Sequence, residues 1–78
     1  MAADSPAAKQ FRQNVRMILS DRGMTMKELA DAIDSKPANI SRILAGLEAV
    51  TIARAEKIAR ALRTPLPELL EKREKIAT

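Results

Sequence analysis

LADAIDSKPANISRI, from Leu29 to Ile43, holds two runs of helical spacing with almost nothing between them. Leu29, Ala30 and Ile33 make one apolar stripe, and Ile40 and Ile43 make another. The polar run between them contains Pro37. Proline restricts the residue before it, so the first of the two helices must stop near Asp34. Helices joined by a turn of about three or four residues cross steeply. Their closest approach needs a small residue, and Ala30 supplies it. The chain reverses at Asp34, and aspartate tolerates the left-handed conformation better than most residues. Ile40 and Ile43 then anchor the second helix on the first. Lys36, Pro37, Ala38, Asn39 and Arg42 are left on its outer side and leading end.

Helical spacing continues on both sides of this pair. Upstream, Ser5 is a good N-cap and Pro6 a good first residue for a helix from about Pro6 to Asp21. Phe11, Val15, Ile18 and Leu19 form its buried stripe, and Gly23 ends it. The second helix opens on Thr25-Met26-Lys27-Glu28, a capping box, and carries Met26, Leu29, Ala30 and Ile33 on one face. The third starts near Lys36 or Pro37, adds Leu44 to its stripe and closes at Gly46. Residues 47–50 are a loop. Thr51 caps a fourth helix carrying Ile52, Ala55, Ala59 and Leu62. Thr64 and Pro65 begin a fifth, with Leu66, Leu69 and Leu70 on one side. No stretch alternates like a strand. The expected fold is therefore all-α, a single domain over residues 1–78 with a core of about 6–72 and frayed ends at 1–5 and 73–78.

The composition narrows the chemistry. Of the 78 residues, 46% are hydrophobic, enough for one small core. Cysteine and histidine are both absent, which excludes disulfides and zinc sites built on those residues. No metal and no cofactor are expected. Met17, Met24 and Met26 read as core filler. Fourteen Lys and Arg against ten Asp and Glu give a net charge of +4 and a pI near 10.0, a balance that suits a polyanion. No apolar run is long enough for a bilayer. The N-terminal MAADSPAA has an acid and no apolar core, so it does not read as a signal peptide, and a cytoplasmic location is expected. Scattered carboxylates and the lack of a glycine-rich loop argue against an enzyme. Phe11 is the only aromatic residue, and its place on a core stripe argues against base stacking on single-stranded RNA.

A steep helix pair whose second member presents its leading end is the arrangement of a helix-turn-helix, which places that second helix in the DNA major groove. Here the chain resembles the phage-repressor/Cro-like helix-turn-helix regulators, from about Phe11 to Leu70. FRQNVRMILSDRGMTMKELADAI is similar to the first two helices of that family. NISRILAG is similar to its recognition helix and closing glycine, and IARAEKIARALRTPLPELL to its last two helices. The resemblance implies a five-helix, lambda-repressor-like domain that binds double-stranded DNA and regulates transcription. Three positions depart from the family pattern. Met26 stands where a glutamine often holds a phosphate and braces the recognition helix. Asp34-Ser35 replaces a common Gly-Val. The loop Leu47-Glu48-Ala49-Val50 lacks the usual basic or amide groups, and Glu48 adds a charge that repels phosphate.

Within this reading the Arg42 fork suits guanine, the Asn39 amide suits adenine, and Pro37 and Ala38 suit a thymine methyl. Lys27, Lys36, Ser41 and Arg54 are the expected phosphate contacts, helped by backbone amides at helix starts. The bland alternatives are an Arg42 that only solvates its helix and an Asn39 that only serves the helix start. Lys9, Arg12 and Arg16 form a basic stripe on the first helix, and Arg54, Lys57, Arg60 and Arg63 another on the fourth; each also reads as a solvated face. One recognition helix contacts few base pairs. A repressor acting as a homodimer on a palindromic operator is therefore expected, with Leu70 and Ile76 as candidate dimer contacts and Leu66 and Leu69 turned inward. The alternative is an antitoxin-like or protein-interaction module on the same fold, partnered by a toxin or another regulator. Leu47, Val50 and Met26 favour it.

Overall fold

Each helix carries an apolar stripe, and three of them open on a capping Ser or Thr. The computed structural model describes residues 5–71. It contains α1 (Pro6–Arg22), α2 (Met26–Ala32), α3 (Pro37–Leu44), α4 (Ile52–Ala61) and α5 (Leu66–Leu70), and no strand among the described residues. The expected all-α, five-helix architecture is what is found. Ser5, Thr25 and Thr51 cap α1, α2 and α4 through their side-chain oxygens. At α2 the capping box is complete: Thr25 accepts from the Glu28 amide at 3.1 Å, and its own amide donates to Glu28 at 2.8 Å. Lys36 stands at the N-cap of α3 without a side-chain cap, and Pro37 follows as the first helical residue.

The first four helices end alike. Each is followed by one residue of positive φ: Gly23 (64°), Asp34 (57°), Gly46 (81°) and Arg63 (54°). In each case the next amide reaches back five residues to a carbonyl. The pairs are Met24 to Leu19 (2.8 Å), Ser35 to Ala30 (2.8 Å), Leu47 to Arg42 (2.9 Å) and Thr64 to Ala59 (3.0 Å). This closure satisfies carbonyls that the helix leaves open and turns the chain sharply. Asp34 therefore has the conformation its side chain suggested. Arg63 does not belong to a basic stripe on α4, because the chain has already left the helix there. Pro65 supplies the reason: it disfavours helix at Thr64, so α4 must end just before it.

The core gathers Phe11, Val15, Ile18 and Leu19 of α1, Leu29 and Ala30 of α2, Ile40 and Leu44 of α3, Ala55, Ile58 and Ala59 of α4, Leu62 and Leu69. Helix α2 packs on α3, and α1 packs on both α3 and α5, so α1 ties the helix pair to the last helix. Two expected core positions are corrected. Ile52 is 75% exposed. It is the first residue of α4, and a helical side chain covers the turn before its own Cα, so Ile52 projects past the helix start while Ile58 fills the core. Met26, also a first helical residue, is exposed rather than core filler. Leu69 is buried and Leu66 packs at the core edge, whereas Leu70 is exposed. Ile76 and the expected frayed ends, other than Ser5, lie outside the described residues.

The first-helix basic stripe is also corrected. Arg12 is only 8% exposed, with its guanidinium against Gly46. Arg16 donates to the Leu44 carbonyl at 2.7 Å, at the end of α3. Further along, Arg22 donates to the Leu62 carbonyl at the end of α4. Cations are favoured at helix C-termini, where open carbonyls carry partial negative charge. These arginines join helices to one another. Only Lys9 of the expected stripe is exposed without such a task among the hydrogen bonds described.

Candidate nucleic-acid interface

The turn between α2 and α3 is closed by backbone hydrogen bonds around Asp34. Asp34 sends its amide to the Asp31 carbonyl (3.2 Å), and Ser35 sends its own to Ala30. Ala30 is fully buried beneath this crossing. From there α3 leaves with Ile40, Ile43 and Leu44 turned inward. Pro37, Ala38, Ser41 and Arg42 stand exposed, and Asn39 is half-buried. The five residues thus share the free side of a short helix whose other side is locked in the core. Asn39 Nδ2 donates to Ser35 Oγ at 3.3 Å, which restrains its amide near the start of α3.

Lys27 and Lys36 are exposed on α2 and at the cap of α3. Arg54 is exposed in the first turn of α4, whose N-cap Thr51 accepts from the Arg54 amide at 3.2 Å. The sequence reading of Glu48 as a lone repelling charge needs correction. Arg54 Nη1 lies 2.9 Å from Glu48 Oε1, and Arg42 Nη1 lies 3.8 Å from Glu48 Oε2. One carboxylate therefore stands between an arginine of α3 and an arginine of α4. The spacing of six between Glu48 and each arginine is not a helical one, so nothing in the periodicity pointed to it.

Asn14 was missed as well. It is fully buried, and its Nδ2 donates to the carbonyls of Leu69 (2.8 Å) and Glu71 (2.7 Å), with Glu68 farther off at 3.4 Å. Its Oδ1 accepts from Gln10 at 3.0 Å. A signal existed: Asn14 falls on the same face as Phe11, Val15 and Ile18. A polar residue on a core face must find buried partners.

Among the described residues no group of three or more metal-ligating side chains comes together, and no helix is long and apolar enough to cross a membrane. The helix-turn-helix family model of the Cro and lambda-repressor type matches residues 15–69, which includes α2, the turn, α3 and all of α4. The chain belongs to this helix-turn-helix family, whose members are typically DNA-binding transcription regulators rather than enzymes. No curated protein and no solved structure matches the chain.

Proposed function

We propose that the chain is a sequence-specific repressor that binds a palindromic operator in double-stranded DNA as a homodimer. The observation that carries the reading is the free side of α3: Pro37, Ala38, Ser41 and Arg42 exposed on a helix anchored by Ile40 and Ile43. In this reading Arg42 takes a guanine, Asn39 an adenine, and Pro37 and Ala38 a thymine methyl. Lys27, Lys36, Ser41 and Arg54 hold phosphates and set the register. Two recognition helices of a dimer lie roughly 34 Å apart, one turn of the duplex.

The dimer surface fits the region around Leu70. Leu70 is 41% exposed and, with Ala8, Val50, Ile52 and Leu66, lines an apolar groove of about 220 Å³. Ile52 adds a large exposed apolar side chain there that no packing inside the described chain explains. A small interface is expected, and with it a dimer that is weak in solution and tightened on DNA.

The exposed Leu47 and Met26, beside the α3 face, favour a second reading: a module that docks a protein partner such as a toxin or another regulator. Selection of bound sites from a random duplex library, followed by sedimentation of the chain on the best site, separates the two. The repressor reading expects a palindromic consensus with two copies bound. One copy per site overturns the dimer. Absence of binding to any duplex at low salt overturns DNA recognition and leaves the protein-docking reading.

A further inference from the structure

We infer that Glu48 is a specificity-determining residue: it holds Arg42 and Arg54 in the free protein and lowers their attraction to DNA of the wrong sequence. This inference rests on the DNA-binding reading above and adds to it a residue that itself contacts no base.

Glu48 is not a freely placed loop acid. On one side the end of α3 is closed by the Gly46 amide on Ile43 (3.1 Å) and the Leu47 amide on Arg42 (2.9 Å). On the other side Thr51 caps α4. Three residues, Glu48 to Val50, span these two fixed points. The Glu48 side chain is 32% exposed, less than those of Arg42 (61%) and Arg54 (45%). It lies between the two cations that the reading assigns to a base and to a phosphate. Its shorter contact, 2.9 Å, is to Arg54, and its longer, 3.8 Å, is to Arg42.

The physical consequence follows from charge. Without Glu48 the two guanidinium groups present two positive charges to any duplex. With it, the cluster carries one. Phosphates are the same in every sequence, so this loss weakens binding to all DNA through the counterion-release effect. At the correct site part of the loss is recovered. Arg42, 3.8 Å from the carboxylate, is paired by charge without a hydrogen bond. Its guanidinium edges therefore stay available for the paired acceptors of guanine. The nearby charge narrows the positions it samples, so it gives up less conformational freedom on binding. Glu48 therefore costs more affinity at random sequence than at the operator. That difference is specificity.

The test uses the whole chain and three versions: wild type, Glu48→Gln and Glu48→Asp. Each is titrated with random duplex and with the selected site over a series of salt concentrations. Glu48→Gln should bind random duplex roughly 5–10-fold tighter at low salt, with a salt slope steeper by about 0.9, one phosphate equivalent. The selected site should gain less, so the ratio of specific to random affinity falls several-fold. Glu48→Asp keeps the charge and should keep the wild-type affinity for random duplex. Its shorter side chain cannot hold both arginines, so it should lose affinity at the selected site. Unfolding midpoints in urea should be alike for all three, so that a change in affinity is not a change in the folded fraction. Wild-type chain that binds no duplex overturns the DNA-binding reading and this inference with it. Wild-type chain that binds, with Glu48→Gln equal to it in random affinity and slope, overturns the role of Glu48 alone.

Discussion

The polar side chains of α1 and those on the exposed side of α3 are used in opposite ways. On α1, Asn14, Arg16 and Arg22 each donate to a backbone carbonyl of another part of the chain, at or near the end of α5, α3 and α4. Arg12 is buried beside the closing turn of α3. On the exposed side of α3, Arg42 is mostly exposed and lies 3.8 Å from Glu48, while Asn39 meets Ser35 at 3.3 Å. The first set is fastened to the fold and the second is lightly held. A count of basic residues treats the two sets alike. Arg16 and Arg22 are committed to helix ends, so on α1 Lys9 is left exposed. The other exposed cations of the candidate interface, Lys27, Lys36, Arg42 and Arg54, lie between α2 and the first turn of α4.

The sharpest way to break this contrast is Asn14→Ala. It removes the donor for the Leu69 and Glu71 carbonyls and leaves a void in the core, for a loss of roughly 2–4 kcal/mol of stability. Urea unfolding measures it, and a loss below 1 kcal/mol would show that water replaces the amide easily. Arg42→Ala should act the other way round. Binding to the best site should weaken by ~1–3 kcal/mol with preference relaxed at one base pair, while the unfolding midpoint stays put. Retained preference at every position in a site-selection experiment would remove Arg42 from base reading.

Arg16→Ala sharpens the comparison within the arginines. It should cost about 1 kcal/mol of stability, the worth of a hydrogen bond from a partly exposed charged group, and leave the salt dependence of DNA binding unchanged. A flatter salt slope in this variant would return α1 to the interface. The smallest effect is expected for Lys36→Ala. Stability should change by less than about 0.5 kcal/mol, and affinity should fall alike for all sequences with a slope flatter by about 0.9. Competition between random and selected duplex checks it, and a loss confined to one sequence would make Lys36 a base contact.

Local signals explain what was legible. Ser5, Thr25 with Glu28, Thr51 and Gly23 act within one turn of their own position, so reading neighbours sufficed to place helix ends. Asp34 was readable because two helices had to reverse there. The core of the helix-turn-helix followed from Ala30, Ile40 and Ile43. What escaped depends on residues distant in sequence. Asn14 meets carbonyls 54–57 positions away, and Arg16 meets Leu44. No periodicity encodes such pairs. Ile52 was misread for a different reason. Its spacing from Ala55 is helical, but a first-turn side chain points beyond the element that its spacing describes. For the interface, the sequence supplied the exposed residues of α3 and left out the Glu48 bridge, because the loop that carries it has no repeat to read.

The reach of Asn14 has a consequence for how the molecule is made. Helix α5 has five residues, too few to persist alone in water. It is held by an amide that belongs to the start of the chain. During synthesis, which runs from the N-terminus, the contacts of α2 with α3 are complete once Leu44 has emerged. Asn14 must wait for Leu69 and Glu71. Ribosome-stalled chains of increasing length should therefore resist protease only after Glu71 has left the exit tunnel. The α2–α3 pair is complete early, and the amide lock on α5 closes about 25 residues later.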